Sequence, residues 1–121
     1  MGFCLGAYVA GHSPGLGLLP EHVDVDSECE QDGAQVDDDR DAVLQVDWRF
    51  NTSTGEGKLQ RNRWVYFQEG AVMQGFKSSD EANIIARYSS NGDVAASVTP
   101  LGRGWVGLSG VHPEAPAQWC T

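Results

Sequence analysis

The stretch from Ile84 to Val98, IIARYSSNGDVAASV, places two runs of strand length on either side of a polar turn. Asn91-Gly92 lies between the runs, and both residue types tolerate the positive φ angles that a tight hairpin requires. The stretch therefore predicts a hairpin of two consecutive antiparallel strands.

Further segments of strand length lie outside this hairpin, and the full set of predicted strands is Val43–Phe50, Arg63–Gln68, Asn83–Tyr88, Val94–Val98 and Gly104–Ser109. Pro100–Gly104 predicts a second turn, and Asn51–Lys58, rich in Thr, Ser and Gly, predicts an exposed loop. Only Cys4–Gly11 has a helical pattern. The sequence thus predicts a meander of antiparallel strands with one helix near the N-terminus.

Length and net charge limit the classes of protein to which this chain can belong. The 121 residues, 1–121, predict one domain, and a formal net charge of −9 argues against binding to nucleic acid or to an anionic membrane surface. No run approaches the roughly 20 apolar residues of a membrane span, and the first residues lack the charged region of a signal peptide. Three cysteines far apart do not form a disulfide framework. We therefore expect a cytoplasmic protein.

The acidic side chains are unevenly distributed. Residues 21–41 contain ten of the seventeen acids and one base, Arg40. Because runs of like charge repel one another and seldom pack, this segment predicts a solvated, mobile surface loop.

The first residues, Gly2-Phe3-Cys4-Leu5-Gly6-Ala7-Tyr8, place a nucleophile between two glycines, each two positions away. This spacing is typical of a sharp strand-to-helix turn, where bulky side chains at those positions would collide with neighbouring elements. The turn would place Cys4 at the start of a helix, which favours thiolate, and the Leu5 N–H could face a developing oxyanion. The alternative is a buried cysteine that acts as a small apolar side chain.

The other end of the chain contains a second candidate group. The apolar strand Gly104–Ser109 is followed closely by His112-Pro113-Glu114. A carboxylate two residues after a histidine can accept its second N–H and fix the tautomer. Cys4, His112 and Glu114 would then be nucleophile, general base and orienting acid. The alternative is a surface histidine with an ordinary polar environment.

Together the two ends resemble the class I glutamine amidotransferase-like superfamily, and within it the glutaminase-like N-terminal domain of biotin protein ligases. The resemblance spans essentially the whole chain and rests on four segments, Cys4–Tyr8, Trp64–Gly70, Ile85–Tyr88 and Gly102–Glu114. It implies a flavodoxin-like α/β fold and a cysteine-dependent reaction on a carboxamide, with Leu5, Gly6 and Tyr8 at the oxyanion and substrate positions.

Two features depart from that family. Tyr8 occupies the position at which the amidotransferases have a glutamine that holds the substrate, and a phenol cannot reproduce the paired donor and acceptor of an amide. The family also has further strands and helices before its nucleophile, so we expect this chain to be an N-terminally truncated domain. The remainder should be rich in antiparallel β with one N-terminal helix, and exposed apolar surface predicts a homo-oligomer or a separate upstream segment.

The sequence therefore predicts a glutaminase-like or amidase-like cysteine hydrolase with a small carboxamide substrate. Its rival is a catalytically inactive binding or regulatory module that kept the fold. No cofactor motif is present, since Gly102-Arg103-Gly104 is too short for a phosphate loop. His12, His22 and Cys29 lack the close spacing of metal ligands, so no metal site is expected.

Overall fold

The computed structural model describes residues 2–3, 5–12, 15–38, 41–50 and 58–113. Within them lie eight strands, one α-helix and two short 3₁₀ helices: β1 (Gly2–Phe3), α1 (Leu5–Ala10), β2 (Asp24–Ser27), a 3₁₀ helix (Glu28–Glu30), β3 (Asp41–Phe50), β4 (Lys58–Gln68), β5 (Ala71–Gln74), a 3₁₀ helix (Ser78–Asn83), β6 (Ile84–Tyr88), β7 (Val94–Leu101) and β8 (Gly104–Ser109).

All eight strands belong to one sheet. Its main path has the order β1-β8-β7-β6-β3-β4, and β5 joins β7 to β2 beside that path. Every pairing is antiparallel except that of β1 with β8, which is parallel and places Gly2 opposite Leu108 and Phe3 opposite Ser109. Both ends of the described chain therefore meet at one side of the sheet.

The predicted hairpin is present, with β6 and β7 joined through residues 89–93. Gly92 has a φ of 79°, and its N–H donates to the Tyr88 carbonyl at 2.9 Å. The next turn consists of Gly102 and Arg103 alone, and Gly102 has a φ of 59°. The backbone conformation that these turns require is one that glycine adopts without steric cost.

The expected flavodoxin-like α/β fold is wrong. Such a fold alternates parallel strands with crossover helices, whereas the described residues form a mostly antiparallel sheet with one six-residue α-helix. The physical reason lies in the connections: turns as short as Gly102-Arg103 can only reverse the chain, because a parallel crossover needs about a dozen residues or more.

The core has two parts, one on each face of the sheet. Along β5, Ala71 and Met73 pack into the first part while Val72 packs into the second, as the alternation of a strand requires. The first part also receives Ala7 and Ala10 of α1. The second contains Phe67, Tyr88 and Val111 among other buried side chains.

A bulge lets β6 contribute to both parts. Ile84 packs in the first part, but Ile85 and Ala86 both contact the second, although neighbouring strand residues normally point to opposite faces. The register between β6 and β7 shifts between Ile84 and Ala86, so an irregularity at this point reorients the strand.

The acidic segment is more ordered than the sequence predicted. Asp24–Ser27 forms β2 and pairs with β5, and the Glu28 side chain is only 1% exposed. The run of acidic residues in the sequence gives no indication that one of its members, Glu28, is buried. Among the described residues, no helix is long and apolar enough to cross a membrane.

Candidate functional site

The junction of β1 and α1 has the close approach that the two glycines predicted. β1 ends at Phe3 and α1 begins at Leu5, so strand changes to helix across a single residue. A Cβ on Gly2 would lie 2.9 Å from the backbone of Gly6, closer than real Cβ atoms come to other heavy atoms. At Gly6, by contrast, an added Cβ would meet no described atom within 4 Å. The described atoms therefore require glycine at position 2, and none of them requires it at position 6.

The partner of β1 places the two ends of the chain together. β1 and β8 run in the same direction, so Phe3 and Ser109 end their strands side by side. Position 4 follows Phe3 directly, and His112 comes three residues after Ser109. The segments that contain the predicted nucleophile and the predicted base thus begin at the same edge of the sheet.

His112 is held by the neighbouring strand β4. Its N–H donates to the Tyr66 carbonyl at 2.9 Å, and its ring lies 5.5 Å from the Tyr66 ring, centroid to centroid. Just before it, Gly110 lies so close to Ala71 that a Cβ would overlap the Ala71 carbonyl oxygen. Gly70 is equally tight, because its Cβ would overlap the Gly110 carbonyl oxygen. The backbone that leads to His112 is therefore fixed against the corner between β4 and β5.

A cleft of about 400 Å³ opens between α1, β2 and the end of β4. Leu5 and Tyr8 supply its apolar wall, and Leu5 is 71% exposed. The remaining wall is polar and consists of Ser27, Glu30, Gln68 and Glu69. Tyr66, whose ring contacts His112, lies two residues before Gln68 on β4, so the side chains of Tyr66 and Gln68 lie on the same face of the strand.

Tyr8 connects the two sides of this cleft. Its hydroxyl donates to the Glu69 carbonyl at 2.9 Å, and its ring packs against the first part of the core. Glu69 has a φ of 46°, a conformation that costs a non-glycine residue about 1–2 kcal/mol. Tyr8 thus fastens α1 to a turn whose backbone would otherwise favour another conformation.

Cys29 is the one cysteine within the described residues, and its surroundings favour the neutral thiol. Burial raises the pKa of its thiol, and the nearby charges of Glu69 and Asp38 act in the same direction. The Sγ atom donates to the Asp38 carbonyl at 3.0 Å. A thiol held in its neutral form lacks the reactivity of a catalytic cysteine.

Some of the predicted site residues lie within the described part of the chain, and others do not. Cys4 and Glu114 lie outside the described residues, whereas Leu5 and Tyr8 line the cleft and His112 lies beside Tyr66. Sequence reasoning missed Ser27, Glu30, Gln68 and Glu69 as cleft residues. Ser27 and Glu30 are hidden within the acidic run. Glu69 belongs to a segment that carried the family resemblance, without any indication that it would meet α1.

Comparison of the chain with protein-family models, with curated proteins and with solved structures finds no match.

Proposed function

We propose that this chain is a cysteine-dependent, amidase-like or glutaminase-like hydrolase domain that acts on a small carboxamide. The observation that carries the proposal is the parallel pairing of β1 with β8. This pairing makes position 4 and the segment leading to His112 emerge from the same edge of the sheet. The open cleft lined by Leu5 and Tyr8 supports it, because a substrate needs space beside the nucleophile.

The chemistry assigned to the site proceeds in two halves. The Cys4 thiolate attacks the carboxamide carbon, the Leu5 N–H stabilises the oxyanion, and the C–N bond breaks when His112 donates a proton to the departing amine. Water then attacks the thioester with His112 as base, which releases a carboxylic acid and regenerates the thiol. Glu114 orients the His112 ring throughout.

The substrate position differs from that of a glutamine amidotransferase. Tyr8 uses its hydroxyl to donate to the Glu69 carbonyl at 2.9 Å. A side chain committed to this contact is suited to form an apolar wall and not to hold a substrate amide. We therefore propose a carboxamide other than free glutamine.

The test is the rate at which Cys4 reacts with iodoacetamide as a function of pH, read peptide by peptide with Cys29 and Cys120 as internal references. We expect Cys4 to react as a thiolate well below the ordinary thiol pKa of about 8.5, and to lose this advantage in His112→Ala. His22→Ala is the matched control, because His22 pairs with Asp80 at 2.8 Å, away from the cleft residues, and should leave Cys4 unchanged.

The opposite outcome is equally informative. If Cys4 and Cys29 titrate alike, or if His22→Ala has the same effect as His112→Ala, no catalytic pair is assembled. The chain would then have the rival function, that of an inactive binding or regulatory module, without the amidotransferase-like fold that this module was expected to keep.

A further inference from the structure

Glu28 is a buried acid that the proposed reaction does not use. Its side chain is 1% exposed at the start of a 3₁₀ helix within the acidic segment. One carboxyl oxygen, Oε1, accepts from the Asn91 side-chain amide at 2.7 Å. The other oxygen, Oε2, has no hydrogen-bond donor among the described residues. A buried carboxylate oxygen without a donor is costly, and this cost points to a protonated acid.

Asp93 is the group that can accept that proton. Its carboxylate acts on Glu28 both by its charge and by a side-chain hydrogen bond that favours the neutral acid. Two carboxyl groups can share a hydrogen bond only when one of them carries a proton. Protonation therefore gives Glu28 the O–H that a hydrogen bond to Asp93 requires.

The Glu28 pair lies where the acidic segment docks on the β6–β7 turn. The Asn91 amide also donates to the Asp32 carbonyl at 3.2 Å, and the Ser90 hydroxyl donates to the Gly33 carbonyl at 2.5 Å. We refer to residues 28–34 as the docked turn. It is continuous with the cleft wall, because Ser27 precedes it and Glu30 belongs to it.

We propose that Glu28 acts as a pH-dependent latch on the cleft. When Glu28 is protonated, it donates to Asp93 and holds the docked turn against the β6–β7 turn. When Glu28 is ionised, the docked turn is released, and the cleft wall moves with it. The effect of this release on catalysis rests on the proposed function. The latch itself does not depend on it.

The charged surroundings favour this behaviour. Asp93 is the charged group of the β6–β7 turn that acts on Glu28. On the side of β5, the Gly70 carbonyl accepts from the Glu28 backbone N–H at 3.1 Å. The segment's own groups add only acids and a thiol: Asp26, Cys29, Glu30 and Asp32. Arg87, the base of β6, donates to Gly92 and Glu81. Among the described residues, no cation compensates an ionised Glu28.

The sign of the pH dependence follows. The pKa of Glu28 in the docked state is raised from the ordinary 4.5 to about 8. Burial is the largest cause, the hydrogen bond from Asn91 opposes it, and Asp93 adds to it. Between these values the docked turn holds a proton that the released turn lacks, so docking is complete below about pH 4.5 and weakens as the pH rises through about 8. Each pH unit in this window increases the released population by up to about tenfold.

The experiment is hydrogen exchange of the peptide 27–34 from pH 5 to 9, corrected for the intrinsic pH dependence of amide exchange. We expect the opening constant of the native chain to rise and then level off near pH 8, and that of Glu28→Gln to stay flat, since glutamine copies the neutral acid. Glu30→Gln removes the same charge from an exposed position and should behave like the native chain.

A flat native profile, or a rise that persists in Glu28→Gln, would overturn the latch. If Glu28→Gln does not fold, Asp93→Asn decides: it removes the acceptor and the like charge, so the rise should be smaller and end at a lower pH. An unchanged profile in Asp93→Asn contradicts the proposal. If Cys4 is unreactive but the latch behaves as expected, only the proposed function is refuted. If the reactivity of Cys4 at pH 8 is the same in Glu28→Gln as in the native chain, only the regulation is refuted.

Discussion

At the scale of single residues, the glycines next to His112 are the most constrained positions of the candidate site. We predict that Gly110→Ala lowers the free energy of unfolding by about 3 kcal/mol, because the new Cβ would overlap the Ala71 carbonyl oxygen and come within 2.6 Å of the Tyr88 hydroxyl. That hydroxyl already donates to the same carbonyl at 2.6 Å, in a buried position. Urea unfolding monitored by tryptophan fluorescence measures the loss.

Gly92 provides the matched control for this prediction. An added Cβ there meets no described atom within 4 Å, but φ is 79°, so its constraint is conformational and not steric. Asparagine tolerates this backbone region, and Gly92→Asn should cost less than about 1 kcal/mol. Similar losses for Gly110→Ala and Gly92→Asn would contradict the steric interpretation.

The same scale shows what the sequence could reveal about the site. The spacing of Gly2 and Gly6 around Cys4 predicted collisions at both glycines, and the described atoms produce one at Gly2 alone. Glu28 could not be recognised at all, because its burial depends on the docking of residues 28–34 onto Asn91, sixty-three positions further along the chain. Local patterns contain no information about such a contact.

At the scale of elements, α1 depends on its attachments. An isolated six-residue helix is unstable in water, so packing and long-range bonds must hold it in place. We predict that Tyr8→Phe, which keeps the ring and removes the bond to the Glu69 carbonyl, lowers the free energy of unfolding by about 1 kcal/mol. Tyr8→Ala also removes the ring from the first part of the core and should cost more.

Urea unfolding of both variants tests this order of losses. Val9→Ala is the control on the same helix, because Val9 is an exposed neighbour and should change stability little. Because alanine has the higher helix propensity, a loss for Val9→Ala as large as that for Tyr8→Phe would show that side-chain contacts in general, and not the Tyr8 hydrogen bond in particular, stabilise α1.

The strands show where sequence patterns succeed at this scale. The predicted strands Val43–Phe50, Arg63–Gln68, Val94–Val98 and Gly104–Ser109 all fall within observed strands, because turn residues bound them locally. β2 was missed, since DVDS lacks the apolar residues that indicate a strand and is stabilised by pairing with β5. β1 has only two residues and was equally invisible.

At the scale of the whole molecule, the family resemblance predicted the wrong fold. It rested on short motifs around Cys4 and His112, and motifs at a site do not determine how the strands between them connect. The meander of short turns pointed to the antiparallel arrangement. The parallel pairing of β1 with β8 joins strands at opposite ends of the chain, and no local signal predicts it.

β4 is the last strand on the main path of the sheet, and its Tyr66 already pairs with His112. We expect copies of the chain to associate beside this pair, through the exposed ring of Trp64. Trp64 of β4 is 62% exposed beside a groove of about 290 Å³ that is formed with Val46, Trp48, Arg63, Val65 and Pro113. A large exposed apolar side chain beside a groove favours contact between copies, whereas the net charge of −9 opposes it. Because salt screens the repulsion and not the apolar contact, association should strengthen as the salt concentration rises.

Sedimentation of the native chain at two salt concentrations, beside Trp64→Ser and Trp105→Ser, tests this expectation. Trp105 of β8 is 68% exposed but does not line this groove, so both variants remove a similar apolar side chain without a change of charge. We expect Trp64→Ser to weaken association at least tenfold and Trp105→Ser to have little effect. Equal effects would indicate nonspecific apolar contact. A native chain that stays monomeric at high salt would show that the groove beside Trp64 is not a self-association surface, and its role would have to be sought in binding another molecule.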